Sequence, residues 1–304
     1  MFIAKNKYLF IGISILMVIA SFYSVYTYGL NLGIDFKGGS ILEVDYKDAR
    51  PEVVAIKDKI KELNIGEVVV QETGDKGVII KMKDLKEEER VKLMDSLKTI
   101  TLTGTTTLAS FDEKRFDSIG PVVGEELKRK TWVAIGLVML MIALFVAFAF
   151  RQVSYPVKSY KFGIATLISL AHDTIIPTGI MAYFGYKYGT EIDILFISAL
   201  LAILGFSVHD TIVVFDRVRE NLKNKVAKTF EEIVGISINQ TFVRSINTSA
   251  TTIFTLLALY FFGGESTKTF SLILAIGIFF GTYSSVFLAS PILLMMESWQ
   301  EKSK

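Results

Sequence analysis

Residues Gly205 to Leu222 read GFSVHDTIVVFDRVRENL and close a long apolar run that opens at Ile192. A run of this length and composition predicts a membrane-spanning helix. His209 and Asp210 then lie inside that helix or at its inner end. An ionisable side chain in a span costs about 2.5–3.5 kcal/mol, so it usually faces protein or water and has a partner. The stretch therefore predicts a membrane protein with a polar site among its helices.

A second stretch, QTFVRSINTSATT from Gln240, opens another apolar run and places Arg244 a turn inside it. These two helices run in opposite directions, so Asp210 and Arg244 lie at matching depth and are natural partners. A structural interpretation is that Arg244 extends to the headgroups while Asp210 is only a carboxylate at a helix end. Spacing alone leaves both interpretations open.

Composition places the whole chain among membrane proteins. It has 304 residues, 51% of them hydrophobic, and a mean hydropathy of +0.45. Residues 31–130 hold twenty of the 31 acidic and eighteen of the 33 basic side chains, which indicates a soluble domain of balanced charge. That balance gives no reason to expect a nucleic-acid partner. The absence of cysteine excludes disulfides and thiolate metal sites.

The apolar runs predict six spans. The first, from Tyr8 to Tyr28, follows Lys5 and Lys7 and is too long for a cleavable signal peptide, so residues 1–30 are expected to form an uncleaved helix. Residues 130–304 hold the other five, at Thr131–Phe150, from Lys161, Ile192–Val214, Thr241–Phe262 and Phe270–Met296. The short loops on one side carry eight Lys and Arg against two on the other, so both termini are predicted to be cytoplasmic.

Residues 31–129 predict an extracytoplasmic α+β domain between the first two spans. ILEVDY alternates like a strand, PEVVAIKDKIKELN has helical spacing, and a turn at Thr73–Lys76 joins two strands as a hairpin. A helix in KEEERVKLMDSLKTI and a strand within Thr105–Phe116 complete the order βαββαβ. This order is that of a ferredoxin-like domain. We expect such a domain to bind protein, and a passive spacer is the alternative.

The segment GIDFKGGS, Gly33–Ser40, directly follows the first span. Paired glycines allow positive φ and close backbone approach, so the segment predicts a tight turn that seats the outer domain on the membrane. Gly33, Asp35, Gly38 and Gly39 are therefore candidates for a hinge or base. The motif alone is not specific.

The only two histidines both precede an aspartate, in His172–Asp173 and His209–Asp210. Two such pairs suggest a metal site. Against this, Asp173 lies near mid-membrane, Asp210 lies nearer the inner face, and no recognised ligand spacing occurs, so neither a metal nor a cofactor is expected. Asp173 is instead predicted to make a polar contact to a neighbouring helix or to line a wet cavity. Pro177 should kink or loosen the same helix.

Several of these motifs, in this order, resemble the SecF family of the bacterial protein-export machinery. They are GIDFKGGS, SIGPVVGEEL, AHD, GFSVHDTIVVFDRVREN, QTFVRSINTSATT with LYFFGG, and FSLILAIGIFFGTYSSVFLASPIL. The resemblance covers nearly the whole chain, and the number of long motifs in register makes it specific.

The resemblance implies one half of a resistance-nodulation-division-type transporter in the bacterial inner membrane, working with SecD beside the SecYEG channel on a translocating polypeptide. It implies no enzyme activity; protons are the coupling ion, and the key intramembrane pair falls on Asp210 and Arg244. His209 and Asp173 are further candidates for proton coupling. The family commonly has Asn where this chain has His209, so that residue is either a second titrating group or a neutral hydrogen-bonding substitute.

Two other classes of function fit part of the pattern. A proton-driven small-molecule or lipid exporter of the same superfamily shares the helices, but a larger outer domain or a twelve-helix chain is expected of it. An intramembrane metal-dependent hydrolase requires the two His-Asp pairs to converge on one ion. The sequence favours the protein-export subunit over both.

Overall fold

The computed structural model describes residues 2–66, 68–101, 108–151 and 156–302. In chain order the elements are α1 (Phe2–Lys5), α2 (Lys7–Tyr28), α3 (Ile34–Lys37), β1 (Gly39–Tyr46), α4 (Val53–Lys61), β2 (Val69–Thr73), β3 (Gly77–Met82), α5 (Glu87–Lys98), β4 (Phe111–Ile119), α6 (Pro121–Ala149), α7 (Ser159–Tyr188), α8 (Ile194–Lys223), α9 (Phe230–Phe262), α10 (Glu265–Ser284), a π-helical turn (Ser285–Ala289) and α11 (Ser290–Lys302). They form two compact units, Met1–Asn31 with Trp132–Lys304, and Leu32–Thr131.

Six helices in the described ranges are long and apolar enough to cross a membrane, which confirms the predicted number of spans. They are α2, α6, α7, α8, α9 and a last helix, Thr267–Ser298, that runs from α10 through the π-helical turn into α11. The helix α7 continues through Pro177 without ending there.

Several spans extend well beyond their apolar runs, and two predicted starts were wrong. The second span begins at Pro121, not Thr131, and the fifth begins at Phe230, not Thr241. Hydropathy marks the stretch that lies in lipid, whereas capping residues determine where a helix begins. Proline is favoured at a first helical position, and Thr229 caps α9 in a reciprocal pair with Glu232.

The unit Leu32–Thr131 has the predicted βαββαβ order. Its four strands form an antiparallel sheet in the order β2-β3-β1-β4, which is the arrangement of a ferredoxin-like domain. The last strand is Phe111–Ile119, and Thr105–Thr107 of the predicted strand lie outside the described residues. The sheet packs its apolar face against α4 and α5 around buried side chains such as Leu42, Val44 and Leu93.

The glycine-rich segment contains the short helix α3 where a simple turn was predicted. Gly33 precedes α3 in extended backbone, whereas Gly38 and Gly39 have φ values of +78° and +144°. A Cβ atom on Gly38 would lie 2.7 Å from Pro121 Cα, and one on Gly124 would lie 2.9 Å from Gly38 N. The segment is therefore closely packed against the first turn of α6, and side chains larger than hydrogen do not fit there.

In the other unit, α7, α8 and the last span form the buried centre. Close contacts depend on small residues: Gly179 lies against Ser21 of α2, while Gly277 and Gly281 lie against Ile203 and Ser207 of α8. This agrees with the close packing expected of small residues in membrane helices. By contrast, only 17% of the most apolar part of α9 is buried, against 61% for α7. One side of α9 is therefore uncovered.

Candidate functional site

Asp210 lies on α8 and turns its carboxylate toward α9. The residue is 6% exposed, and Oδ1 accepts a hydrogen bond from Ser245 Oγ at 2.5 Å. The second oxygen, Oδ2, is buried and has no hydrogen-bond partner among the described residues. A buried carboxylate oxygen without a donor is costly, so the described residues satisfy only half of the hydrogen-bonding capacity of this carboxylate.

His209 precedes Asp210 on α8, and Arg244 precedes Ser245 on α9, yet among the described residues neither forms a hydrogen bond with the carboxylate. Both side chains are exposed, and in the described part of the chain Arg244 forms no ion pair with Asp210. Ser245, the neighbour of Arg244, occupies the position beside the carboxylate that the matching depths suggested for the arginine. The structure thus brings the expected helices together without closing the expected pair.

Polar side chains follow the uncovered side of α9 from Arg244 onward. Their spacing of three and four residues puts them on one face of the helix, and all are exposed: Arg244, Asn247, Thr248, Thr251 and Thr255. Thr251 and Thr255 donate to carbonyl groups of the preceding turn, so their hydroxyls are satisfied within the helix. We call these five residues the polar stripe of α9. It lies in a helix apolar enough to cross a membrane, where exposed polar groups usually face protein or water.

Asp173 is fully buried on α7 and belongs to a different environment. Oδ2 accepts hydrogen bonds from Ser207 of α8 at 2.5 Å and from Ser284 of α10 at 2.7 Å. Oδ1 lies 2.8 Å from Nδ1 of His172, which is also buried. The predicted polar contact of Asp173 to neighbouring helices is therefore present, and it joins three spans.

The two carboxylates are linked through adjacent turns of α8. Ser207, which binds Asp173, precedes Asp210 by three residues, or about 4.5 Å along the helix. Thr211, which follows Asp210, shares a hydrogen bond of 2.8 Å with Ser285 in the π-helical turn. A π-helical turn inside an α-helix often marks a functional position.

The serines and threonines of this cluster were not singled out from the sequence. Ser207, Ser245 and Ser284 are small polar residues in apolar helices, and such residues are common at packing interfaces. Spacing along α8 could have singled out Ser207, because it lies one helical turn before Asp210. No group of three His, Asp or Glu side chains that could hold a metal ion occurs within the described ranges.

Comparisons with known proteins identify the family of the chain. The model "Protein export membrane protein SecD/SecF, C-terminal" matches residues 99–299, and the "SecD/SecF GG Motif" matches residues 23–49. The protein translocase subunits SecF of Thermobaculum terrenum and Anaerolinea thermophila are 43% and 36% identical over 99% and 97% of this chain, and over 94% of each relative.

A solved structure has the same fold. The crystal structure of SecDF from Thermus thermophilus, described as a translocon-associated membrane protein, matches 98% of this chain with 30% identity and a TM-score of 0.78. This chain spans 38% of the length of that SecDF chain. The chain belongs to the SecD/SecF family of protein-export membrane proteins and is a subunit of the Sec protein-export machinery.

Proposed function

We propose that this subunit uses proton motive force to promote late steps of protein export, with Asp210 as the proton carrier and a SecD partner completing the site. The unpaired Oδ2 atom of Asp210 carries the proposal. Among the described residues it is the one oxygen of this carboxylate without a donor, and the other oxygen is held by Ser245, the neighbour of the exposed Arg244 on α9. An acid in this position can bind and release a proton as its surroundings change.

The polar stripe of α9 supports a partner in the membrane. The arginine and the asparagine of the stripe are unsuited to lipid tails, and His209 is exposed on the neighbouring helix. A second six-helix half laid against this face would bury them, as in transporters whose sites lie between two halves. SecD is the natural candidate because the similar Thermus structure is that of SecDF.

Arg244 then acts as a fixed positive charge. Its guanidinium stays protonated at every relevant pH, so only Asp210 changes its charge during a cycle. The absence of an Asp210–Arg244 ion pair among the described residues supports a contact that opens and closes, and His209 and Asp173 are further candidates for proton coupling. Moving one charge through about 100 mV supplies about 2.3 kcal/mol, enough to bias a two-state element by more than tenfold.

The short loops rich in Lys and Arg support an inner-membrane orientation with both termini in the cytoplasm. The ferredoxin-like domain then lies outside, where it contacts the partner or the emerging polypeptide. SecYEG is the channel beside which the complex works. We infer a mechanical role and no enzymatic one, with no cofactor other than protons.

Proton flux in liposomes tests the proposal. The purified chain and its complex with SecD are reconstituted separately, and acidification is followed with a pH-sensitive dye under an imposed potential. The complex is expected to conduct protons and the chain alone to conduct far less, because one half supplies one wall of the path. Equal flux from the two preparations would contradict the requirement for a partner.

A further inference from the structure

His172 and Asp173 form a buried dyad that the proposed transfer at Asp210 does not explain. His172 Nδ1 lies 2.8 Å from Asp173 Oδ1, and the two side chains are 2% and 0% exposed. Ser207 and Ser284 both donate to the other carboxylate oxygen. The remaining ring nitrogen, His172 Nε2, is buried and has no hydrogen-bond partner in the described part of the chain.

Charge balance decides how many protons the dyad holds. A neutral imidazole that donates from Nδ1 to an ionised carboxylate leaves a net charge of −1 in a dry interior. Such a charge is expensive unless it is compensated. Because Asp173 Oδ2 already accepts from Ser207 and Ser284, one additional proton is placed on the His172 side of the dyad. It makes the dyad neutral overall, either as an imidazolium-carboxylate pair or as a carboxylic acid hydrogen-bonded to Nδ1. These two neutral forms differ only in where the proton between Nδ1 and Oδ1 lies.

Both neutral forms carry a hydrogen on Nε2, and the anionic form does not. His172 Nε2 is therefore the atom at which the dyad gains or loses its proton, whichever neutral form prevails. The bond that forms is N–H and the proton comes from water, to which it returns on release. The absence of a hydrogen-bond partner at Nε2 among the described residues is consistent with an atom that carries a proton during only part of the transport cycle.

The groups around the dyad supply no alternative counter-charge. From α8 it meets Ser207, and from α10 it meets Ser284 and the ring of Tyr283, whose centroid lies 6.1 Å from that of His172. Ser14 of α2 donates to the Tyr283 hydroxyl at 3.4 Å. Among the described residues His172 is the one cationic group paired with Asp173, and the next titratable group along α8 is Asp210.

Two interruptions of regular helix surround the dyad. Pro177 has no N–H, so the carbonyl of Asp173 lacks the hydrogen bond that residue 177 would normally supply. Ser284 immediately precedes the π-helical turn, and its single hydroxyl hydrogen has two acceptors within reach, Asp173 Oδ2 and the Gly281 carbonyl. A second acceptor lets this hydroxyl leave the carboxylate without losing all its hydrogen bonds. Such irregular helix is often found at functional positions.

We propose that the His172–Asp173 dyad is a second proton-binding site of this subunit, separate from Asp210, which takes up one proton at His172 Nε2. The inference rests on the proposed function for its role in transport. Water reaches Nε2 when α7 and the last span separate, and the exchange ties protonation to the packing of three helices.

Nitrogen NMR of histidine-labelled protein tests this directly, because the chain has only two histidines. In the full chain in lipid nanodiscs, His209→Asn leaves the ring of His172 as the sole labelled imidazole. We expect the Nε2 signal to change from protonated to unprotonated when the sample pH is raised from about 5 to about 8. Asp173→Asn keeps the shape but removes the counter-charge, so the ring should then stay neutral throughout.

A His172 ring that keeps one protonation state over this range, or that titrates identically in Asp173→Asn, overturns the proposal. Ser284→Ala is a milder variant that keeps both members of the dyad and should change the pH midpoint. The export assay with Asp210→Asn separates the two ideas. A titrating His172 with unaffected export in Asp210→Asn contradicts the proposed function alone, and a fixed His172 with lost export contradicts the dyad alone.

Discussion

Asp173 and Asp210 are both buried carboxylates in membrane helices, yet the chain treats them differently. Three donors from three helices converge on Asp173. Asp210 receives one hydroxyl and keeps one buried oxygen unpartnered within the described residues. Among the described residues both oxygens of Asp173 accept hydrogen bonds, whereas one oxygen of Asp210 accepts none. A carboxylate with one oxygen that lacks a donor is suited to exchanging a proton at a contact with a partner. A carboxylate whose oxygens both accept hydrogen bonds from several helices also holds those helices together.

The largest expected effect is at the incomplete site. Asp210→Asn keeps the shape of the side chain and removes its titration, so the proton-dependent part of export should fall more than tenfold while assembly with SecD persists. Asp210→Glu should retain part of it. Export by inverted membrane vesicles, with and without an uncoupler, measures both. Ser245→Ala, which removes only the hydrogen bond to Asp210, is the matched control and should reduce export much less.

Substitution of Asp173 should reduce the stability of the protein more than substitution of Asp210, the reverse of the order expected for export. Asp173→Ala leaves Ser207 and His172 without their acceptor and removes one of the two acceptors of Ser284. We therefore expect a loss of about 3 kcal/mol in the free energy of unfolding. Asp210→Ala leaves only Ser245 without its acceptor and should lower the free energy of unfolding by about 1 kcal/mol. Denaturant titration of both variants in the same detergent gives the difference. Equal losses would show that the two carboxylates are held alike.

A smaller effect separates packing from backbone conformation in the glycine-rich segment. Gly38→Ala meets both a positive φ and a contact with Pro121, whereas Gly74→Ala has a positive φ of +54° and open space around its Cβ. The positive φ costs about 1 kcal/mol in each case, and Gly38→Ala should lose at least about 1 kcal/mol more. Hydrogen exchange of the β1 amides reports the loss. If the two variants lose equal stability, the close contact of Gly38 with α6 has no energetic effect, and Gly38 is not a hinge.

The smallest effect concerns Tyr46, the only tyrosine among residues 31–130. Burial raises its pKa to about 12, and its buried hydroxyl has no partner among the described residues. The unfolded chain loses this proton near pH 10, so the stability from the neutral ring is complete below about pH 10 and is lost toward pH 12. Tyr46→Phe should remove this alkaline dependence and gain about 1 kcal/mol at neutral pH. Thermal unfolding at several pH values measures both, and unchanged alkaline sensitivity in Tyr46→Phe would assign it to another group.

Hydrophobic runs and strand alternation were enough to predict six spans and a ferredoxin-like domain, because both are set by local pattern. The early starts at Pro121 and Phe230 were missed because polar helical turns outside lipid leave no hydropathy signal. At the site, the depths of Asp210 and Arg244 were predictable from two sequence segments. Which side of α9 faces α8 depends on tertiary packing, and this rotation puts Ser245 against the carboxylate and leaves Arg244 exposed.

The hydroxyls around Asp173 show the same limit. Nothing in the order of Ser207 and Ser284 along the chain indicates that they meet at one carboxylate, because their convergence depends on how α8 and α10 pack on α7. Small residues made the close packing foreseeable, though not the atoms that it brings together.

Cysteine cross-linking tests the central claim, that a SecD partner covers the polar stripe of α9. The chain has no cysteine, so Asn247→Cys on the stripe and Met141→Cys on the exposed apolar side of α6 are single, matched probes. In membranes that contain SecD with cysteines along its spans, the account predicts disulfide formation from Asn247→Cys and little from Met141→Cys. Cross-linking through Met141→Cys, with none through Asn247→Cys, would contradict it.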